Sequence, residues 1–161
     1  MFSSSPSTGT SGYVWNDANG NGAQDVDELP LSGVLVTLQT CSGDYVASTT
    51  TLSTGNYSFD NVAPGCYREV FSTPANFVPT VQNSSVDPTQ NSDINPVGQT
   101  ADLTLTTGVI SQVDAGFAQQ TSIGDFVWYD VDNDGLQDAT EAGLAGVTVD
   151  LTTCTGAPVA T

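Results

Sequence analysis

Residues 17–38 read DANGNGAQDVDELPLSGVLVTL, and this stretch joins a metal-binding pattern to a β-strand pattern. Its first twelve residues carry side-chain oxygens at positions 1, 3, 5, 9 and 12 and a glycine at position 6, which is the spacing of an EF-hand calcium loop. The residues after the loop alternate as a half-buried strand does. An EF-hand needs a helix on each side of its loop, so the sequence predicts a calcium loop inside a β-protein.

The loop supplies six predicted calcium ligands. They are side-chain oxygens at positions 1, 3, 5, 9 and 12 and a main-chain carbonyl at position 7: Asp17, Asn19, Asn21, the Ala23 carbonyl, Asp25 and Glu28. Gly22 permits the sharp turn at position 6. Calcium is a hard cation that takes about six to eight oxygen ligands, and such a loop can provide them.

The chain repeats itself at an offset of 113 residues, the difference between Trp15 and Trp128. Residues 13–48 align with residues 126–161 without a gap, and nearly half of the aligned positions are identical. The second loop therefore has its own predicted ligands: Asp130, Asp132, Asp134, the Leu136 carbonyl, Asp138 and Glu141. It offers five carboxylate ligands where the first loop offers three, so we expect tighter calcium binding there once its domain is complete.

The repeat sets the predicted domain organisation. Residues 1–10 are a leader or linker, residues 11–118 a complete domain, residues 119–122 a linker, and residues 123–161 the N-terminal part of a second copy. A third of a β-sandwich cannot bury its own strands. Either the natural chain continues, or another chain completes the second copy.

Short runs rich in β-branched and aromatic residues predict an all-β fold. Seven strands are predicted: Gly12–Trp15, Val34–Thr40, Tyr45–Thr51, Asn56–Phe59, Cys66–Ser72, Ala101–Thr106 and Gln112–Ala118. Strands of this length and spacing favour a sandwich of two sheets, and no window shows the periodicity of an apolar helix face. The polar stretch 74–98 is predicted to be a loop with room for one edge strand.

The composition excludes several classes of function. The net charge is −17, with 18 acidic residues and a single basic one, Arg68. Such a surface disfavours nucleic acid and anionic membranes and favours cations as partners. No apolar run suits membrane insertion. Without His or Lys the chain lacks the usual catalytic triads and Schiff-base chemistry, so we predict that it is not an enzyme. An acid-pair glycosidase is the remaining enzymatic alternative, but the metal-loop spacing accounts for the carboxylates.

Three cysteines and two sequons are compatible with an extracellular protein. Cys41 and Cys66 lie 25 residues apart and are predicted to form a disulfide, the alternative being three free buried thiols. Cys154 is the counterpart of Cys41, so its partner is expected in the rest of the second copy or in another chain. Asn83, in the long polar loop, and Asn56, at a strand start, are predicted glycosylation sites.

Several stretches together resemble one known family, the SdrD B-like calcium-binding domains of bacterial serine-aspartate repeat surface proteins. They are GYVWNDANGNGAQD with LSGVLVTL, TGNYSFDNVAPGCY, and LTLTTG with VDAGF. The resemblance covers the complete and the partial copy. It implies an Ig-like Greek-key β-sandwich, calcium-dependent rigidity and a role as a stalk or spacer at the cell surface. Pilin-like relatives form a Lys–Asn isopeptide bond, which this chain cannot make because it has no Lys.

The predicted function is structural. The chain is expected to be an extracellular, calcium-stiffened module of a cell-surface stalk or self-assembled fibre, with copies of itself as partners. Strand complementation between protomers is one route to a fibre, because it would complete the second copy. The alternative is an adhesin for a matrix or host ligand, which would need an exposed aromatic groove. Phe77 is a spare aromatic residue for such a groove, whereas four others are expected in the core: Trp15, Tyr57, Phe59 and Tyr67.

Overall fold

A computed structural model describes residues 7–82, 87, 89–120 and 124–160. The chain divides into two compact units, Met1–Thr121 (unit 1) and Ser122–Thr161 (unit 2). The described residues form strands and no helix. Accordingly, nothing in these ranges is a helix long and apolar enough to cross a bilayer.

Eleven strands are numbered in chain order across the described residues. Unit 1 contains β1 (Gly9–Asn16), β2 (Leu35–Thr40), β3 (Tyr45–Thr50), β4 (Asn56–Asp60), β5 (Gly65–Phe71), β6 (Phe77–Pro79), β7 (Leu103–Leu105), β8 (Ile110–Gln112) and β9 (Ala115–Gln119). Unit 2 contains β10 (Leu151–Thr152) and β11 (Pro158–Ala160), which pair antiparallel.

Unit 1 is an Ig-like Greek-key β-sandwich, as predicted. One sheet has the strand order β4-β1-β9-β6, with β8 also paired to β1, and the other has the order β3-β2-β5-β7. The chain crosses from β3 to β4 in the opposite sheet and then returns to place β5 beside β2, which is a Greek-key connection. Strand β1 pairs in parallel with β8 and β9, whereas the other pairs of strands in unit 1 are antiparallel.

Alternating apolar side chains from both sheets form one core. On β2, Val36 and Leu38 point inward, and on β5 Tyr67 and Phe71 do so. The opposite sheet contributes Val14, Tyr57, Phe59 and Phe117 to the same cluster. Burial of each such side chain stabilises the fold by about 1.5–3 kcal/mol. The four aromatic residues predicted to lie in the core are all buried.

The prediction of one strand over Gln112–Ala118 is wrong, because β8 and β9 are separate strands with a break between them. At the break, the Val113 N–H donates to the Ser11 carbonyl at 2.9 Å. A Cβ added to Gly12 would lie only 1.6 Å from the Val113 carbonyl oxygen. The break thus depends on a close backbone approach that only glycine permits, and local strand propensity carries no sign of it.

The polar stretch 74–98 contains the edge strand for which the sequence left room. Strand β6 pairs with β9 at the edge of its sheet, with Val78 opposite Ala118. Phe77 is partly buried against the core, so it is a poor anchor for an exposed aromatic groove. Ile94, in the same stretch, is fully buried.

The structure contains the predicted disulfide between Cys41 and Cys66, whose Cα atoms are 5.5 Å apart. It joins the residue that follows β2 to β5, which are neighbours in one sheet. The Cys41 N–H also donates to the Cys66 carbonyl at 3.2 Å. In unit 2, Cys154 is an exposed free thiol.

Unit 2 exposes apolar residues whose counterparts in unit 1 form the core. Val127, Val147, Val149 and Leu151 are 39–67% exposed. The residues 113 positions earlier, Val14, Val34, Val36 and Leu38, are at most 4% exposed. In unit 1 the covering side chains come from β4, β5 and β9. That unit 2 is a partial second copy stays a prediction.

Replacing Gly12 with alanine is expected to lower the free energy of unfolding of unit 1 by about 1–3 kcal/mol or more, because the new Cβ overlaps the Val113 carbonyl. Chemical denaturation measures this effect. Ser11→Ala, one residue away on β1, is the matched control and should change stability by about 0.5 kcal/mol at most. Equal stability of the two variants would contradict the close approach.

Removing the disulfide with the double variant Cys41→Ala, Cys66→Ala is expected to lower the free energy of unfolding by about 3 kcal/mol, because the unfolded chain gains loop entropy. Cys154→Ala serves as the control, since its thiol is exposed and unpaired. Thermal or denaturant unfolding of the three proteins under non-reducing conditions provides the comparison. A double variant as stable as Cys154→Ala would disprove a stabilising role.

Candidate metal centre

The first predicted calcium loop leaves the end of β1 and returns to it. The Asp17 N–H donates to the Phe117 carbonyl of β9 at 3.0 Å, where the loop begins. At its far end the Asn16 N–H donates to the Leu29 carbonyl at 2.8 Å, and Pro30 forms a β-bridge with Trp15. The two ends of the loop are therefore held side by side.

The Asp17 carboxylate, at loop position 1, is fully buried and organises the turn. Its Oδ1 accepts hydrogen bonds from the N–H groups of Gly20 at 2.7 Å and Asn21 at 3.2 Å. Its Oδ2 accepts from the Gly22 N–H at 2.7 Å and from the Thr80 hydroxyl. Gly22 has a φ of +78°, as the predicted turn at position 6 requires.

The carboxylates at positions 9 and 12 also turn into the loop. Glu28 accepts the Ala18 N–H at 2.8 Å on Oε1 and the Asp25 N–H at 3.1 Å on Oε2. The Asp25 carboxylate accepts the side-chain amides of Asn19 at 2.8 Å and Asn21 at 3.0 Å. The structure thus brings the side chains of Asn19, Asn21 and Asp25 together, whereas Asp17 and Glu28 are held by backbone N–H groups of the loop. Among the described residues, the carboxylate oxygens of Asp17, Asp25 and Glu28 do not all lie within 4.8 Å of one another.

The second loop, in unit 2, has the same internal hydrogen bonds. The Gly135 N–H donates to Asp130 at 3.0 Å, and Glu141 accepts the N–H groups of Val131 at 2.8 Å and Asp138 at 3.1 Å. Each bond corresponds to one in the first loop at the offset of 113. The two loops therefore close in the same way.

The donor set of these loops fits calcium, because every predicted ligand atom is an oxygen. In the second loop, Asp130, Asp132 and Asp134 each offer a carboxylate oxygen, and these atoms lie within 4.8 Å of one another. In the first loop the amide nitrogens of Asn19 and Asn21 face Asp25, so both amide groups must turn to offer their oxygens to an ion. The predicted carbonyl ligands belong to Ala23 and Leu136.

The first loop is also attached to the distant polar stretch. The Gln24 N–H donates to the Gln90 carbonyl at 2.7 Å, and the Ser92 N–H donates to the Gly22 carbonyl at 3.0 Å. Together with the Thr80 hydroxyl on Asp17, these bonds connect the loop to the segment that follows β6. Sequence reasoning missed Thr80, because it lies 63 residues from Asp17 and no local motif marks it.

A second group of acids in unit 1 lies outside the acidic loop. Asp114, in the break between β8 and β9, is buried and accepts the Tyr13 N–H at 2.8 Å and the Gln112 side-chain amide at 2.7 Å. Burial raises the pKa of Asp114 to about 6. Its own N–H donates to Asp93 at 2.8 Å, and burial raises the pKa of that carboxyl as well.

Glu69 is the most deeply placed of these acids. It stands between Tyr67 and Phe71 on the inward face of β5 and is fully buried. Strand alternation was the signal that could have identified it, since Tyr67, Glu69 and Phe71 share one face.

The structure describes one of the two predicted glycosylation sites. Asn56 is exposed at the first position of β4, and its side-chain amide donates to the Thr54 hydroxyl at 3.0 Å. Asn83 lies outside the described residues.

Among solved structures, the chain is similar to two pilins. A minor pilin of Streptococcus agalactiae shares 12% identity at a TM-score of 0.49, over 75% of this chain and 48% of that chain. A shaft pilin of Lactobacillus rhamnosus GG shares 15% identity at a TM-score of 0.41, over 73% of this chain and 52% of that chain. Neither score reaches 0.5, so neither likeness bears on function.

Sequence relatives are much closer. The chain is 39% identical over 151 residues to serine-aspartate repeat-containing protein F of Staphylococcus epidermidis. The aligned region covers 93% of this chain and 8% of that protein. It is 42% identical over 146 residues to serine-aspartate repeat-containing protein C of Staphylococcus aureus, covering 86% of this chain and 14% of that protein. The chain therefore spans only a small part of the length of these relatives.

The family comparison covers nearly the whole chain. The SdrD B-like domain matches residues 9–117 and residues 121–161. The first of these ranges includes β1 to β8, most of β9 and the first acidic loop, and the second includes the other acidic loop. The chain belongs to the SdrD B-like domain family.

Proposed function

We propose that the chain is an extracellular structural module in which calcium stiffens the β-sandwich of a cell-surface stalk. The observation that carries this proposal is the closure of both acidic loops, in which the carboxylates at positions 1 and 12 accept hydrogen bonds from the backbone of their own loop. Each loop therefore holds these two carboxylates in place through its own backbone.

Calcium would stiffen unit 1 through the contacts of its loop. Without a cation, the carboxylates of Asp17, Asp25 and Glu28 repel one another in a twelve-residue segment. A bound ion removes that repulsion and favours the folded state by mass action. Because the loop is bonded to β9 and to residues 90–92, the ion would hold three separated parts of the sandwich in place.

The cell-surface location is supported by the family and by the disulfide. The relatives are named for serine-aspartate repeats and come from staphylococci, and the disulfide fits an oxidising, extracellular compartment. Glycosylation at Asn56 and Asn83 belongs to the same proposal. Since the chain spans 8–14% of these relatives, the role of a whole protein built from it is also proposed rather than established.

We expect the 161-residue chain to bind two calcium ions, one in each loop. Glu28→Gln should remove one ion, because it takes away a predicted bidentate ligand. Isothermal titration calorimetry on the calcium-free chain measures the stoichiometry. In wild type, calcium at about 100 times the dissociation constant should raise the free energy of unfolding by about 2.7 kcal/mol.

Asp27→Asn is the matched control for this titration. Asp27 is an exposed carboxylate of the same loop, at position 11, where no ligand is predicted. It should keep both ions while removing one charge. Loss of an ion in Asp27→Asn as well as in Glu28→Gln would mean that overall charge, and not the loop geometry, governs binding.

A second candidate, a fibre formed by strand complementation, is supported by the exposed apolar residues of unit 2. The strands that complete unit 2 would come from a segment equivalent to β4–β9 in another copy. The β4–β9 segment of another copy would clash with unit 2. Asp125 of unit 2 aligns with Gly12 of unit 1, so a side chain stands where unit 1 has none. Any Cβ at that position overlaps the Val113 carbonyl. This mismatch favours the stalk over exchange between copies.

Negative-stain imaging separates the two candidates. We expect the purified chain to give single particles with calcium and after addition of EGTA. Filaments that dissolve in EGTA would point to assembly through calcium-stiffened joints. Filaments indifferent to EGTA would point to strand exchange, and Asp125→Gly should then assemble more readily, because it removes the overlap with Val113.

A further inference from the structure

Glu69 occupies a core position that a charged side chain rarely occupies. It is fully buried in the middle of β5, and its Cα partner on β2 is Leu38. Arg68, the nearest basic residue, points the other way and forms an ion pair with Asp102. The Glu69 carboxyl group therefore has no cation to neutralise it among the described residues.

The Tyr57 hydroxyl reveals the protonation state of Glu69. Its oxygen lies 2.5 Å from Glu69 Oε2 and 2.8 Å from the Val113 carbonyl oxygen. A phenol has one hydrogen, so it can donate to only one of these two acceptors at such short distances. A carbonyl and a carboxylate have nothing to donate. Both hydrogen bonds can form only if Glu69 is protonated. The carboxyl O–H of Glu69 then donates to the Tyr57 oxygen, and the Tyr57 O–H donates to the Val113 carbonyl.

The remaining contacts also disfavour an ionised Glu69. Its second oxygen, Oε1, forms no hydrogen bond of good geometry among the described residues, and neither does the Thr10 hydroxyl on the facing strand β1. A buried carboxylate with so few donors is costly. Thr100 does not compensate, since its hydroxyl bonds the Glu69 backbone N–H at 3.0 Å and not the carboxyl group.

Of the titratable groups that face Glu69, the two aspartates also favour its protonated form. These groups are Tyr57 on β4, Asp114 between β8 and β9, and Asp93 in the segment after β6; β1 and β2 present Thr10 and Leu38, which do not titrate. Burial, with a smaller contribution from the two aspartates, raises the pKa of Glu69 to about 7, against the lowering effects of the Tyr57 and Thr10 hydroxyls. Burial and the nearby Glu69 also raise the pKa of Tyr57.

We propose that Glu69 is a neutral carboxylic acid in the folded protein. Its O–H donates a hydrogen bond to the Tyr57 hydroxyl, which in turn donates its own hydrogen to the Val113 carbonyl, and this pair of hydrogen bonds joins the two sheets and makes the sandwich pH-sensitive. The chain of bonds runs from β5 to β4 and then to the break between β8 and β9. This inference does not depend on calcium, because none of these groups is a predicted ligand.

The direction of the pH effect follows from proton linkage. The folded protein holds the Glu69 proton more tightly than the unfolded chain, whose carboxyl has the ordinary pKa of 4.5. The stabilisation is complete below pH 4.5 and is lost as the pH rises through the folded pKa of about 7. Unit 1 should therefore be held together more strongly in mildly acidic than in alkaline medium.

Comparison of wild type with Glu69→Gln isolates this effect. Glutamine has the same shape and can donate to Tyr57 at every pH, but it cannot ionise. The quantity to measure in EDTA is the equilibrium constant of unfolding of wild type divided by that of Glu69→Gln. This ratio should rise by up to about tenfold per pH unit between pH 4.5 and about 7. Asp60→Asn, which removes an exposed carboxylate at the end of β4, controls for the loss of one charge. A ratio that is flat with pH, or that matches the control, would overturn the proposal.

A second measurement follows the ionisation of Glu69 directly in the wild-type protein. The chain has only three glutamates, Glu28, Glu69 and Glu141, so labelling glutamate with ¹³C at the carboxyl carbon gives three signals. One of them should titrate with a midpoint near 7 and should be absent from Glu69→Gln. If all three titrate below about pH 5, Glu69 is ionised at neutral pH and the proposal fails.

Discussion

The parallel pairing of β1 with β8 and β9 is the constraint on which the rest of unit 1 depends. It sets the first strand of the domain against the last, and β1 is also paired with β4 on its other side. Contacts so distant in sequence carry a large entropy cost of loop closure, which slows folding. The acidic loop leaves from the end of β1, so Asp17 is positioned by Phe117 and Thr80 as well as by its own loop.

The acidic side chains fall into two environments with opposite chemistry. In each of the two loops, several carboxylates are concentrated in twelve residues, a pattern that favours a divalent cation. Outside the loops, Glu69 and Asp114 are buried, and burial raises the pKa of both. A net charge of −17 therefore does not describe one uniform surface. It combines acids that are suited to binding a metal with acids that are suited to keeping a proton.

Much of the fold and of the candidate site was predictable, because the signals are local. Residue patterns identified most of the strands and four aromatic residues of the core. The loop spacing identified Asn19, Asn21 and Asp25, whose side chains the structure brings together. The break at Val113 was not predictable, since it arises from contact with a strand about a hundred residues earlier. For the same reason no local pattern pointed to Thr80 as a partner of Asp17.

By itself, the sequence determined the all-β class, the two acidic loops and the family, because the signal for each of these comes from residues close together along the chain. It also predicted that Tyr67 of β5 lies in the core, where the structure has it. Only the tertiary structure decided that the Tyr57 hydroxyl lies between Glu69 and the Val113 carbonyl. Those three groups come from different elements of the sandwich, and the protonation of a buried acid depends on the donors and acceptors that the completed fold places around it.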